Sequence, residues 1–326
     1  MLLDNHGRPI NYLRLAVTDR CNLRCFYCMP EEGIKFLPKP HLLSFEEMLR
    51  MASMMASLGI SKVRITGGEP FVRKDMMSFL KELSKIDGIN DIHITTNGVL
   101  TAPLIPEFKS IGIKSVNLSL DTLDRERFLE MTRRDELSRV LETLDQLLAY
   151  NIPTKINAVV MAGKNDQDIL PLVGLGEKLP IGIRFIEEMP FNGSGINEAA
   201  FMSYKRILDI IKEAHPSLYK ISDGPNSTSY NYKIDGHEGS VGVIAAFSRT
   251  FCGTCNRIRV TPTGTLKTCL YDDGVLNLRD LMRSESNDEI VKDHLIQAFT
   301  HRPKDGFEAE SKRSSVVSES MTTIGG

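Results

Sequence analysis

The chain reads as an α/β protein built on an incomplete (β/α)6 TIM-like barrel, followed by a small C-terminal α+β region. Three observations carry that reading. Strand-like and helix-like stretches alternate six times before about residue 190, and such alternation builds a parallel sheet, open or curled. Six units are short of the eight that close a barrel. The strands also carry opposite chemistry on alternate residues, unlike a parallel sheet covered on both faces, whose strands are near-continuously apolar.

The first strand is Tyr12–Val17, which runs straight towards Cys21. Ser44 and Glu47 form a capping-box signature, and the helix they open ends at Gly59. Strands follow at Lys62–Thr66, Asp91–Thr95, Ser115–Leu120, Thr154–Val160 and Gly182–Glu187. Helical stretches lie between them at Lys74–Leu83, Leu137–Tyr150 and Asp168–Lys178. A second part begins near Ser229. Ser229–Ile234 and Gly239–Ile244 read as one hairpin around Asp235-Gly236, and Arg257–Thr261 and Thr265–Thr268 as another around Pro262-Thr263-Gly264. Asn287–Thr300 reads as a helix. From about Lys304 the chain turns polar and serine-rich, the composition of a frayed tail. The expected division is a partial barrel over 1–228 and a C-terminal region over 229–326.

Strand parity says what the sheet encloses. Successive strand residues face opposite ways. One parity is apolar: Leu13, Leu15 and Val17; Val63 and Ile65; Ile92 and Ile94; Val116, Leu118 and Leu120; Ile183 and Phe185. It should pack under the helices. The other carries Arg14 and Thr18; Arg64 and Thr66; His93 and Thr95; Asn117 and Ser119; Lys155 and Asn157; and Arg184. A sheet curled around these residues encloses a roomy cationic cavity suited to a large anion.

Composition narrows the class. Charged residues make up 25% of the chain and the net charge is −2, so no basic excess points to nucleic acid. No apolar run reaches the ~18–20 residues of a membrane span. Met1–Pro9 carries Asp4, His6 and Arg8 and no apolar signal core. A cytoplasmic location is the default, with neither nucleic acid nor membrane as partner. The six cysteines fall into two triplets: Cys21, Cys25 and Cys28, then Cys252, Cys255 and Cys269. Three disulfides would suit a secreted chain; without a secretion signal, metal binding is the better reading.

The first triplet is Cys-x-x-x-Cys-x-x-Cys. Soft thiolates select iron–sulfur clusters, zinc or copper(I). A four-iron cluster held by three cysteines keeps one iron open for chemistry, whereas structural zinc prefers closed four-ligand sets. Gly67-Gly68-Glu69-Pro70 follows the second strand, where glycines let backbone approach a ligand closely. Thr95-Thr96-Asn97-Gly98 and Ser119-Leu120-Asp121 also stand at strand ends. The second triplet places Cys269 thirteen residues beyond a Cys-x-x-Cys pair. Zinc with a fourth ligand such as His237 is one reading; a redox pair would leave Cys269 idle; a second open cluster matches the first. Arg257 and Arg259 share a strand face, and guanidinium forks match phosphate oxygens. With Arg14, Arg64, Lys155 and Arg184 they make six converging cations, which suits a triphosphate.

The first spacing, with Tyr27 between its last two cysteines, resembles the signature of the radical S-adenosylmethionine (SAM) superfamily. The run Cys21–Pro30, the motifs at 67–70, 95–98 and 119–123, Arg184-Phe185-Ile186-Glu187, Phe251–Arg259 and the final Gly325-Gly326 together resemble the GTP 3′,8-cyclase family within it. The resemblance runs from about Asn11 to the last residue. Most single motifs are shared across the superfamily; the second triplet with Arg-x-Arg and the Gly-Gly end are specific to these cyclases.

The resemblance implies a radical SAM barrel. It implies that Cys21, Cys25 and Cys28 hold a 4Fe-4S cluster whose free iron chelates SAM, and that Tyr27, Gly68, Ser119 and Met189 contact SAM. It implies that Arg14, Arg64, Thr95, Lys155, Arg257, Ile258 and Arg259 contact GTP, with Arg184 a plausible addition, and that Cys252, Cys255 and Cys269 hold a second 4Fe-4S cluster at the guanine. The implied reaction converts GTP to (8S)-3′,8-cyclo-7,8-dihydroguanosine 5′-triphosphate, the first step of molybdenum cofactor biosynthesis, by SAM-derived radical chemistry, with no side-chain acid or base assigned. An electron donor such as flavodoxin or ferredoxin, a downstream cyclic pyranopterin monophosphate synthase, homodimerisation and a Gly-Gly tail reaching the site are family expectations. Glu188 stands where an aromatic is common, and Phe71-Val72 where leucines or methionines are. Two other readings stay open: a peptide-modifying radical SAM enzyme with an auxiliary cluster, and a non-catalytic metal-binding carrier or sensor.

Overall fold

The structure is a computed structural model that describes residues 2–29, 33–189, 191, 201–314 and 320–325. Its first part runs β1 (Tyr12–Ala16), α1 (Phe45–Ser57), β2 (Lys62–Thr66), α2 (Met76–Leu83), β3 (Asp91–Thr96), α3 (Ile105–Ile111), β4 (Ile113–Ser119), α4 (Arg125–Thr132), α5 (Leu137–Ala149), β5 (Thr154–Val160), α6 (Ile169–Lys178), β6 (Gly182–Glu187) and α7 (Tyr204–Ala214). The rest runs β7 (Tyr219–Lys220), β8 (Ser229–Lys233), β9 (Ser240–Ile244), β10 (Arg257–Val260), β11 (Thr265–Lys267), β12 (Leu276–Asn277), α8 (Leu278–Ser284), α9 (Asp288–Thr300), α10 (Gly306–Ser311) and α11 (Met321–Ile324).

All these strands form one sheet, in the order β12-β11-β10-β1-β2-β3-β4-β5-β6-β9-β8-β7. The six central strands are parallel neighbours in sequence order. The two C-terminal hairpins extend opposite edges: β9 pairs parallel to β6, and β10 pairs parallel to β1. The sheet is open, as six units require.

The apolar parity forms the outer face. Leu13, Leu15, Val63, Ile65, Ile94, Val116, Ile183 and Phe185 are fully buried. Helix α1 joins the β1–β4 part of this face with Met48, Met51 and Met55, one stripe at helical spacing, all fully buried. Removing the bulk of such a side chain, Phe185→Ala for example, costs roughly 3–5 kcal/mol. The capping box is formed: Ser44 Oγ accepts from the Glu47 amide at 3.1 Å, and the Ser44 amide donates to Glu47 Oε2 at 2.7 Å.

Two boundaries differ from the sequence reading by more than one residue. Helix α2 starts at Met76 because Asp75 takes a left-handed conformation, φ 63°. Strand β4 starts at Ile113, directly after the left-handed Gly112 that ends α3, and its pairing with β3 slips between Ile92 and His93. Residues 320–325 are docked, against their polar composition but as the family resemblance implies: Ser320 Oγ donates to the Cys28 carbonyl at 2.6 Å, and Arg259 Nη1 donates to the Gly325 carbonyl at 2.8 Å. Gly326 lies outside the described residues, as does Pro30. Among the described residues no helix is long and apolar enough to cross a membrane.

Candidate active site

The polar parity and the strand C-termini open on one cavity of about 760 Å³, and all six cysteines line it. This lies at the large end of small-molecule sites. None of the six is paired in a disulfide.

The first cysteine loop hangs from β1 and is held by the loop after β2. The Gly68 amide donates to the Thr18 carbonyl and the Glu69 amide to the Arg20 carbonyl, both at 2.8 Å. A Cβ on Gly68 would stand 2.2 Å from the Arg20 carbonyl oxygen and 2.6 Å from its carbon. Only glycine lets the two loops close this far. Glu69 is fully buried, and burial pushes its carboxyl up to about 7 against the hydrogen bonds it accepts. It accepts from the Asn97 amide at 2.7 Å and Thr96 Oγ1 at 2.9 Å, and Asn97 Nδ2 in turn lies 3.5 Å from Cys21 Sγ. The glycine motif and the Thr-Thr-Asn-Gly motif are thus one hydrogen-bonded unit. Tyr27 donates to Asp121 Oδ2 at 2.7 Å, and burial raises the Asp121 carboxyl to about 6.

The two triplets differ electrostatically. Burial pushes the Cys21 thiol up to about 11 and Cys28 to about 12, and raises Cys25 strongly. In the second triplet Cys252 is raised and Cys269 reaches about 12. Burial also opposes ionisation of Cys255, but Arg257 and Arg302 outweigh it and bring that thiol down to about 7. A metal held here must displace protons from five of the six thiols, so loading is favoured as pH rises. Among the described residues no group of three His, Cys, Asp or Glu side chains is arranged to hold a single metal ion. Three soft donors per group at one cavity wall fit a cluster that takes each thiolate on a different iron.

Between the triplets lies a cationic belt set by strand register. Arg14 faces Arg64 on one side and Arg259 on the other; Tyr12 faces Arg257, Asn117 faces Lys155, and Asn157 faces Arg184. Burial, then the neighbouring cations, lowers Lys155 to about 8 and Arg184 to about 10. Thr95 Oγ1, Asn117 Oδ1 and Asn157 Oδ1 are buried without a hydrogen-bond partner. Buried polar atoms are nearly always satisfied, so these orphans ask for a polar ligand with donors to offer, and the cations of the belt ask for an anionic one.

Every predicted site residue lines the cavity except Ile258, whose fully buried side chain packs into the core on the face away from Arg257 and Arg259. Gly68 and Ser119 sit on the side of the first triplet. Met189 packs on Phe191, Tyr271 and Ile324 near the second. Half-buried Glu188 lines the cavity, and burial raises its carboxyl. Phe71 stacks on Phe108 with ring centroids 5.8 Å apart, which accounts for an aromatic there; nothing in the structure explains Val72.

Three residues were not singled out from sequence. Tyr12 accepts from Arg64 Nε at 2.6 Å; burial opposes its ionisation, but Arg64, Arg14 and Arg257 pull the phenol down to about 8. It shares the parity of Arg14, a readable signal. Glu69 and Asp121 lie within the motifs at 67–70 and 119–123, but their partners come from other elements of the chain.

Residues 15–175 match the Radical SAM superfamily, and residues 181–308 match the family described as Molybdenum Cofactor Synthesis C. The mitochondrial GTP 3′,8-cyclase of Arabidopsis thaliana is 41% identical over the whole chain, covering 84% of that protein. The GTP 3′,8-cyclase of Syntrophomonas wolfei is 41% identical over the full length of both. Molybdenum cofactor biosynthesis protein 1 of Homo sapiens is 41% identical over 88% of this chain, which spans 45% of the human protein. Among solved structures, Streptococcus suis SuiB bound to its precursor peptide SuiA superposes with a TM-score of 0.60 at 15% identity, covering 97% of this chain and 71% of that one. That likeness shows the fold alone. With matching profiles on both halves and full-length relatives at this identity, the chain belongs to the GTP 3′,8-cyclase family of the radical SAM superfamily.

Proposed function

We propose that this chain converts GTP to (8S)-3′,8-cyclo-7,8-dihydroguanosine 5′-triphosphate in molybdenum cofactor biosynthesis. The supporting observation is that two cysteine triplets open on one cavity with a cationic belt between them. Cys21, Cys25 and Cys28 hold one 4Fe-4S cluster; Cys252, Cys255 and Cys269 hold the other. Together with SAM the first cluster supplies a one-electron reductive cleavage and the hydrogen abstraction that follows. The residues of the chain bind and orient. Tyr27, Gly68, Ser119 and Met189 hold SAM. Arg14, Arg64, Thr95, Lys155, Arg184, Arg257 and Arg259 hold GTP, with Ile258 fixing the spacing of the two arginines on β10. Buried walls exclude water from the reacting carbons. An electron donor such as flavodoxin or ferredoxin, a cytoplasmic homodimer and a downstream cyclic pyranopterin monophosphate synthase complete the reading, as does the division of the chain at 228/229.

The test is anaerobic. Cluster-loaded protein is mixed with SAM, dithionite and GTP, and mass spectrometry follows 5′-deoxyadenosine and a new species of the mass of GTP. Both together support the cyclase. Deoxyadenosine with GTP unchanged turns the search to a peptide substrate. Neither, with iron fully loaded, points to a carrier or sensor.

Gly68→Ala should weaken SAM binding at least tenfold, since its Cβ would collide with the Arg20 backbone one residue before Cys21, and overpacking costs about 1–3 kcal/mol. Equilibrium dialysis of SAM against the loaded protein measures it; wild-type affinity would mean that the two loops do not have to close.

GTP affinity should also fall at high pH. Lys155 and Tyr12 both titrate at about 8 without ligand. A bound triphosphate favours charged lysine and neutral phenol, so it raises both values. Such groups contribute fully below their free values and lose that contribution as pH rises through them. Between pH 7 and 9 the dissociation constant should rise about tenfold per group. Tyr12→Phe should remove part of the rise, and a flat profile would count against triphosphate in the belt.

A further inference from the structure

Beside the second triplet, reaching the cavity wall through Arg8 and Arg302, sits a charge cluster that the proposed function leaves unused. The side chain of Asp4 is fully buried. Its Oδ2 accepts from Arg8 Nε at 2.7 Å and from Arg302 Nη1 at 3.3 Å. Both arginine side chains are nearly inaccessible, 6% and 2% exposed. Asp4 and Arg8 precede the residues matched by either family.

What the two forks touch gives the cluster its meaning. Arg8 Nη1 donates to the Cys252 carbonyl at 3.1 Å. Arg302 Nη1 donates to the Cys255 carbonyl at 3.1 Å, and its Nη2 to the Arg257 carbonyl at 2.9 Å. Arg302 Nε reaches the carbonyl of Thr268, the residue before Cys269, at 3.2 Å. One carboxylate therefore orients two forks that grip the backbone at or beside all three cysteines. Arg302 Nη2 also lies 3.7 Å from Cys255 Sγ.

The charges do not cancel inside the cluster. Two guanidiniums face one carboxylate, so one positive charge remains buried against the cysteine loops. A buried charge needs a counter-charge. A 4Fe-4S unit on three thiolates is anionic and supplies it, and becomes more anionic on reduction. Hydrogen bonds to cluster sulfurs and nearby net charge set such potentials. Partners behind the ligands also hold a site's geometry and affinity.

Resting on the two-cluster reading, we infer that Asp4, Arg8 and Arg302 are positioning residues that brace the second cysteine triplet, slow loss of its cluster and raise that cluster's reduction potential. The N-terminal segment is then part of the cluster-binding unit.

The test uses the anaerobically loaded full chain as wild type, Arg302→Met, Arg302→Lys and Asp4→Asn. Readouts are iron per chain, iron release to a chelator, and an EPR redox titration. The SAM-dependent signal of the first cluster reports that each variant is folded. Arg302→Met should release the second cluster's iron at least tenfold faster and shift its potential to more negative values, with the first cluster unchanged. Arg302→Lys keeps the charge without the fork, so it should recover the potential but not the release rate. Asp4→Asn should release iron as fast as Arg302→Met. Wild-type release and potential in Arg302→Met would overturn the inference and leave the two-cluster reading standing. If Arg302→Met does not fold, Arg302→Lys decides by its release rate. Wild-type protein that loads only one cluster, or zinc, at the second triplet would overturn both.

Discussion

Cys25→Ala should abolish 5′-deoxyadenosine formation and reduce bound iron from about eight to about four per chain, while GTP still binds. The three cysteines of the first loop are half-buried, and Arg24 beside Cys21 does not offset the desolvation of the thiols: Cys21 is pushed up to about 11, Cys25 strongly upward and Cys28 to about 12. On the proposed reading a metal makes them thiolates together, and the two remaining cysteines would not hold a cluster open to SAM. No side chain offers a substitute for that chemistry, so the loss should be complete. Cys255→Ala should differ in kind, sparing SAM cleavage and suppressing the cyclised product. Deoxyadenosine at the wild-type rate from Cys25→Ala would mean that the first triplet is not the site of SAM cleavage.

Replacing Arg257 and Arg259 together with methionine should weaken GTP binding by about 10²- to 10⁴-fold. A hydrogen bond to a charged partner contributes about 1.5–3 kcal/mol, and two are lost. The substitution keeps the aliphatic bulk on β10, so the alternation that buries Ile258 and Val260 is undisturbed. Arg125, whose ion pair with Asp135 lies on the surface, is the control: Arg125→Ala should leave affinity unchanged. Isothermal titration with GTP in the loaded protein measures both. Affinity retained in the double variant would remove GTP as the ligand of the belt.

Much of this was legible in the residues. Period-two alternation in β1 to β6 separates core from cavity because a strand has only two faces, so Leu13 and Arg14 declare their sides without a structure. The cysteine spacings are local, and so is the Ser44–Glu47 cap. What was hidden depends on distant pairing. The alternation in Arg257–Val260 shows a strand but not that it lies beside β1, which brings Arg259 against Arg14. Glu69 reads as a turn residue until β3 delivers the amide of Asn97. Asp4 looks like an ordinary polar residue near the N-terminus, and only the approach of Arg302 makes it a buried counter-ion. Lys74 at the start of α2 was misplaced because a left-handed Asp75 has no strong sequence mark.

The placement of β10 beside β1 also sets a timetable. Tyr12 pairs with Arg257, and neighbouring Asn11 and Asn256 are 245 residues apart in sequence. At about 5–20 residues per second of synthesis, β1 emerges roughly 12–50 s before its partner exists. For that interval one edge of β1 has unpaired backbone groups, the condition that invites wrong pairing. The first cysteine loop hangs from that strand with a wall on one side only. Until the last fifth of the chain is made, the strand that carries the first cysteine loop lacks one of its two neighbours.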